Sequence, residues 1–430
     1  MTITLPAAPN IGDIVEVAGA GLGGWVLAQN PGQTIGASFT PLSVPGEASG
    51  DWISIASSSD GTKLAAANQG EFYGGGIWTS SNSGASWVQT SAPGGYWCSV
   101  ASSSDGAKLA AVAGDVETNE GGSYPGGIWT LSNAVTNWTE TSLLPNGSGY
   151  AESVPLSIVS SADGTKLALA IAYNGEVVAG IWISSNSGTN WVKTSAPTNM
   201  YWCSIASSSD GTKLAAVNNG GGNGGGIWIS SNSGTNWAEA TALPLADWQS
   251  IASSADGTRL AAAADAVYIG ESGYSGGIWT SSNEGASWAQ TSAPGVWWTS
   301  IASSSDGTKL AATAYGYGGS GGIWTSANSG TNWVQMSAPG LDWVSTLSSS
   351  AWYCIASSSD GTKLAAGING GGIWTVVNGI VSHQSAAVSG STMLGTAGFL
   401  EGNFGTVVEL IYAGGGQFIA LYQSGSLSGH

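Results

Sequence analysis

The sequence predicts an all-β chain whose main body is a seven-bladed β-propeller, and three observations predict it. The stretch SIASSSDGTKLAA, residues 54–66, returns with small changes until it has been written seven times. Its Asp-Gly pair falls at Asp60, Asp105, Asp163, Asp210, Asp256, Asp306 and Asp360, with spacings of 45 to 58 residues. That period suits propeller blades rather than short-coil solenoids. A second marker, Gly-Ile-Trp, follows each aspartate and ends at Trp78, Trp129, Trp182, Trp228, Trp279, Trp324 and Trp374, so two independent signals agree on seven.

Within a unit every element reads as strand. In the first, DWISIASS alternates apolar with small or polar residues and forms strand a, the innermost. DGT is hairpin-turn chemistry, and KLAAA resumes extended chain as strand b. GGGIWTS and SWVQTSAP supply strands c and d, separated by Gly and closed by Pro. Four strands make one blade, and nothing in the repeats carries the 3.6-residue period of an amphipathic helix.

These signals divide the chain into a propeller over 36–375 and a terminal β module contributed by 1–35 and 376–430. The seventh unit stops after Trp374 without a Trp-bearing strand d, whereas residues 36–52 parallel 84–97 with Phe39 at the tryptophan position. Residues 36–46 are therefore expected to add the outer strand of the last blade, closing the ring with an N-terminal strand and leaving no free sheet edge. Outside the ring, DIVEVAG, GGWVLAQN and VVELIYAGGGQFIALYQSGSL read as strands that share one small sheet. This module resembles β-rich terminal segments of phage-tail and bacterial surface proteins, which implies attachment or assembly with other protein subunits.

At the c–d turn the chain writes S-x-N-x-G-x-x-W: Ser80, Asn82, Gly84 and Trp87, then Asn186 with Trp191, Asn232 with Trp237, Asn283 with Trp288, and Asn328 with Trp333. The pattern resembles the Asp-box, or BNR, repeat of sialidase-like and lectin-like propellers, with Asn in place of Asp. Physically it is a structural device. A short side-chain oxygen caps the turn's own N–H groups, Gly supplies a backbone angle that other residues resist, and Trp wedges between blades. The second unit keeps Asn133 and Trp138 but has Val135 where the turn wants Gly, so a distorted turn is expected there.

Composition excludes several function classes. The net charge is −18 with only eight Lys and Arg, which argues against nucleic acid and against an anionic membrane surface. No apolar run approaches the roughly 18 residues of a membrane-spanning helix, and MTITLPAAPN has neither a basic nor an apolar signal region. An extracellular, cell-surface or virion-associated location is expected, without an ordinary signal peptide. Cys98, Cys203 and Cys354 are read as one equivalent position in three blades and as buried free thiols. His383 and His430 give no zinc-site spacing. No cofactor is expected; the loop carboxylates suit oxygen-ligated Ca2+, yet no EF-hand or nonapeptide spacing is present.

The a–b and c–d turns of a blade share one face, which is nearly invariant here, while the b–c loops and d–a links share the other and differ among the units. Lys63, Lys108, Lys166, Lys213, Arg259, Lys309 and Lys363 follow the repeated aspartates and balance them on the constant face. The variable face should be acidic, with Glu71, Asp115, Glu117, Glu120, Glu176, Asp265 and Glu271. Phe72, Tyr73, Tyr124, Tyr173, Tyr268, Tyr274, Tyr315 and Tyr317 join them. Rings beside carboxylates and amides suit a sugar, whose C–H face stacks while its hydroxyls take paired donors and acceptors. Trp52, Trp97, Trp202, Trp248, Trp298 and Trp352, at one register where the third unit has Pro155, are expected to pack between blades.

The Asp-box resemblance invites a sialidase assignment, but a sialidase needs an arginine triad and the chain has one arginine, Arg259. The same shortage separates it from photosystem-assembly members of that group, which present an arginine-rich face. No histidine lies in the ring and no interpretable acid pair stands out, so no enzyme activity is expected. The expected function is a binding or adhesion module for a glycan or another cell-surface ligand. The alternative is a structural subunit of an appendage, virion or filament.

Overall fold

The computed structural model describes residues 2–4, 14–18, 25–28, 34–36, 51–70, 75–114, 116–117, 123–124, 126–132, 137–141, 156–172, 179–220, 224–241, 243–244, 246–268, 274–315, 321–336, 352–369, 371–377, 380–383, 399–402, 407–414, 417–424 and 427–429. These residues are all β or irregular, and none of them forms a helix that could cross a membrane. The chain divides into two compact units, one of residues 44–336 and 343–375, the other of residues 1–43, 337–342 and 376–430.

The larger unit is a propeller. Seven four-stranded antiparallel sheets follow one another, the first built from Trp52–Ser57, Leu64–Asn68, Ile77–Ser80 and Val88–Gln89 as strands a to d. Strand b is the most buried strand in the first six blades. Leu64–Asn68, Leu167–Ile171 and Leu310–Ala314 are buried at every position, because small alanines let neighbouring sheets approach on both faces.

A backbone circuit shows that the ring is closed. Ser59 N–H donates to Ser104 O at 2.7 Å. The same bond steps on from Ser104 to Ala162, Ser209, Ala255, Ser305 and Ser359, whose N–H returns to Ser59 O at 2.7 Å. One residue per blade gives and receives, so the circuit has room for seven blades and no more. A second circuit runs beside it. Lys63, Lys108, Lys166, Lys213, Lys309 and Lys363 each donate to the carbonyl oxygen of the next blade's aspartate at 2.8–2.9 Å. A third links the innermost strands, where Ser54, Ser99, Ser157, Ser204, Ser250 and Ser300 each accept through Oγ from the next blade's backbone N–H.

The six strand-a tryptophans are buried between blades, as their constant register predicts. Trp97 lies with Ala65 and Ile77 of the first blade, and Trp298 with Ala263 and Ile278 of the fifth. Several meet the strand-c tryptophan of their own blade edge to face, with Trp248 and Trp279 centroids 5.2 Å apart at 76°. Burial of one such indole supports roughly 3–5 kcal/mol of stability as judged by truncation to Ala.

Two expectations are corrected. The fourth strand of the seventh sheet is Ile380–His383, not residues 36–46. It follows Ile373–Val377 after two residues, and so short a hairpin closes at less entropic cost than a strand brought from the far end of the chain. Thr34–Gly36 instead pairs in parallel with Gln417–Ser424, while Phe39 lies outside the described residues. The cysteines occupy two registers rather than one. Cys98 and Cys203 stand seven residues before their aspartates, but Cys354 stands six before Asp360, in the column that holds serine in the other blades. All three are free thiols.

The smaller unit draws on both ends of the chain through two sheets rather than the single one expected. One runs Thr2–Thr4, Trp25–Ala28, Phe399–Gly402, Leu427–Gly429; the other Ile14–Ala18, Val407–Gly414, Gln417–Ser424, Thr34–Gly36.

Candidate functional site

At one end of each blade, side-chain oxygens organise two turns. In the a–b turn Ser58 Oγ donates to Asp60 Oδ1 at 2.7 Å and accepts Lys63 N–H at 3.0 Å, while Asp60 Oδ1 accepts Thr62 N–H at 2.9 Å. The glycine after each aspartate sits at φ 65–69°, and a Cβ there would strike the cation reaching across from the preceding blade. In the c–d turn Asn82 Oδ1 accepts Ser86 N–H at 2.8 Å, and Asn186, Asn232, Asn283 and Asn328 repeat the bond. Ser83 N–H bonds Thr62 O at 2.8 Å, fixing both turns on one rim. The second blade's turn residues Asn133 and Val135 lie outside the described residues; Trp138 is buried there.

The serine hydroxyl, then the threonine N–H and hydroxyl, hold the carboxyls of Asp60, Asp210, Asp256, Asp306 and Asp360 down at about 2, and Asp163 is lowered in the same way. Asp105 is also lowered, by Ser103 first and then Ala107 N–H. Arg259 departs from the lysine pattern by donating through Nη1 to Ser329 Oγ at 2.9 Å. Glu284 replaces the usual serine of its turn and pairs with Lys213 at 3.0 Å.

The other end of strand a is built differently. In six blades the a–b ladder slips at its start, leaving Ile53, Cys98, Cys203, Gln249, Thr299 or Tyr353 as an extra residue. A bulge re-aims its side chain, and here all six line one axial cavity of about 470 Å³. The third blade pairs Leu156 with Ile171 without a slip. Flanking columns hold Trp on one side and Ser or Cys on the other, so the varied residue is framed by constant ones.

Two further varied columns edge this mouth. Nine residues before the aspartates stand Asp51, Tyr96, Tyr201, Asp247 and Trp297; nine after stand Gln69, Asn219, Asp265 and Tyr315. Gln69 N–H bonds Asp51 O at 3.0 Å and Tyr315 N–H bonds Trp297 O at 2.8 Å, which places the two columns side by side. Trp297 and Tyr315 stack at 5.9 Å. Among the described residues, the large apolar side chains left open to solvent fall into two groups, valines on outer strands and three aromatics at this end of strand a, Tyr201 at 50%, Trp297 at 45% and Tyr353 at 40%. In the fifth blade two slips coincide, and their extra residues meet: Gln249 Nε2 donates to Asp265 Oδ2 at 2.9 Å.

The mouth is partly dehydrated. Burial, then the nearby Cys98, Asp51 and Tyr353, pushes the Tyr96 phenol above its ordinary value. These groups come from three different blades. Burial raises the Cys98 and Cys203 thiols to about 11 and Cys354 to about 12, so all three stay protonated and are poor nucleophiles. Among the described residues no group of three or more His, Cys, Asp or Glu is arranged to hold a metal ion.

Of the residues the sequence singled out, Asp265 and Tyr315 fall in the same column at this mouth. Tyr268 and Tyr274 are ladder partners on the b–c hairpin of the fifth blade, and Tyr124 pairs with Val116. Glu71, Phe72, Tyr73, Tyr173, Glu271 and Tyr317 lie outside the described residues. Sequence reasoning missed Asp51, Gln69, Tyr96, Tyr201, Asp247, Gln249, Trp297 and Tyr353. The signal was a column that changes between columns that do not.

No family model matches the chain, and no curated protein matches it. Solved structures do share its fold. The GH74 xyloglucanase of Xanthomonas campestris aligns with a TM-score of 0.58 at 14% identity, over 79% of this chain and 54% of that one. The GH74 enzyme of Niastella koreensis gives 0.56 at 16%, over 76% and 52%. YCF48 bound to D1 peptide gives 0.52 at 14%, over 77% and 92%. The chain spans about half the length of the two GH74 enzymes, and identities this low establish the propeller fold alone.

Proposed function

We propose that the protein is a non-enzymatic binding module of the Asp-box propeller type that recognises a carbohydrate or another cell-surface ligand through the varied end of the ring. The observation that carries this reading is the varied end of strand a, where Tyr353 and Gln249 line the axial cavity, Tyr201 and Trp297 expose aromatic surface in a flanking column, and Asp247 and Asp265 stand in the columns that edge it. Open aromatic faces next to amides and carboxylates suit a sugar ring, which offers C–H bonds to the one and hydroxyls to the other. A rigid scaffold that varies its residues only where they converge is also how loops and strand ends acquire specificity.

A hydrolytic reading is disfavoured by the chemistry at hand. The cavity thiols are held neutral, and the lone arginine is engaged on the opposite rim. The sheets formed by both ends of the chain supply the attachment part of the same proposal, at a cell surface, virion or extracellular appendage. A glycan array probed with the full chain, including the xyloglucan cleaved by the Xanthomonas enzyme, tests it. Signal that disappears in Trp297→Ala and Tyr353→Ala is expected; silence across all glycans with the wild-type chain overturns the carbohydrate assignment.

A further inference from the structure

We infer that the axial mouth discriminates by charge and takes a saccharide bearing free amino groups, of the glucosamine type, in preference to an acidic sugar. This rests on the binding reading above and adds the class of ligand. Every Lys and Arg of the chain can be placed. Seven belong to the constant rim, six of them bonded to aspartate carbonyl oxygens and Arg259 to Ser329. The eighth, Lys193, lies over the Trp182 ring in the third blade, 5.6 Å from its centroid. No Lys or Arg is left for the mouth, so a carboxylate, sulfate or phosphate on a ligand would find no ammonium or guanidinium donor there.

Asp51, Asp247 and Asp265 stand at the same mouth, in a protein of net charge −18. Their field acts across a walled cavity that the partly buried Tyr96 also lines. That arrangement repels anions and attracts an ammonium group, which selects by penalty as well as by attraction. The aromatics act in the same direction. Trp297, Tyr315, Tyr201 and Tyr353 offer ring faces that stack on the C–H face of a sugar and stabilise a nearby cation. The Gln249–Asp265 pair, joined at 2.9 Å where two bulges coincide, holds the Gln249 carboxamide in place for ligand hydroxyls, while the Asp265 carboxylate, whose Oδ1 is buried, acts on an ammonium group through its field.

Titration calorimetry at low salt and mildly acidic pH, with the full chain, separates the alternatives. The probes are a glucosamine trimer, its N-acetylated counterpart, a sialylated trisaccharide and trilysine. The glucosamine trimer should bind about tenfold more tightly than the acetylated one, the scale of one charge-assisted hydrogen bond. Added salt should weaken it, Asp247→Asn with Asp265→Asn should erase the margin, and Trp297→Ala should weaken both neutral and charged trimers. Circular dichroism confirms folding of each variant. Equal binding of the acetylated trimer overturns the charge inference and leaves the binding module standing. Trilysine binding as tightly as the glucosamine trimer, and unaffected by Trp297→Ala, overturns the saccharide assignment. Silence from all three saccharides here and across the array removes both.

Discussion

Strand a carries two ends governed by opposite rules. At the turn end each blade writes Ser-x-Asp-Gly, holds the carboxyl with a serine hydroxyl, and passes one backbone bond to the next blade. At the mouth end the equivalent residue is an aspartate, a tyrosine or a tryptophan in five blades, and Val154 or Ala351 in the other two. About six residues of extended chain, some 20 Å, separate a position that cannot change from one that can. The difference teaches how a repeat protein keeps its shape while acquiring a site. Closure is delegated to backbone bonds, short hydroxyl side chains and the buried Trp column, and the varied columns at the mouth are thereby released from structural duty.

Experiments that break the constant columns should cost most. Trp202→Ala empties a fully buried inter-blade position and should cost about 3–5 kcal/mol in denaturant unfolding. Next comes Ser304→Ala. Its hydroxyl is buried, donates to Asp306 Oδ1 at 2.6 Å and accepts Lys309 N–H at 3.0 Å, so removal should cost about 1–3 kcal/mol. The same change should raise the Asp306 pKa toward its ordinary value, a shift readable by carboxyl NMR.

Acid should act on all seven turns together. Their aspartate pKa values are lowered on folding, five of them to about 2, from an unfolded value of 3.8. The unfolded chain therefore binds protons first, and this contribution is intact above about pH 4 and lost as pH falls toward 2. A melting temperature that drops over that window is expected. The smallest effect sharpens the comparison within the constant rim. Ala107 is the one a–b turn position without the threonine hydroxyl that bonds the aspartate elsewhere. Ala107→Thr should stabilise by about 0.5–1 kcal/mol in thermal unfolding.

Much of this architecture was legible because repetition acts as its own alignment. The Asp-Gly and Gly-Ile-Trp markers counted the blades, and their turn chemistry placed the constant rim. Ile380–His383 was not legible as the last outer strand, since it lacks the tryptophan that marks strand d elsewhere. The mouth was hidden for a different reason. Bulges shift a side chain by one position, so Gln249 and Tyr353 read as alternating strand residues until the ladder showed them unpaired. Trp297 was concealed by Trp298, one exposed and the other buried, because adjacent strand residues face opposite ways.

That neighbouring pair offers the most direct test of the division between constant and varied columns. Denaturant unfolding of Trp298→Ala and Trp297→Ala, measured side by side, should show a loss of about 3–5 kcal/mol for the first and less than about 1 kcal/mol for the second. Comparable losses at both positions would contradict the account, since the mouth would then be part of the packing that closes the ring.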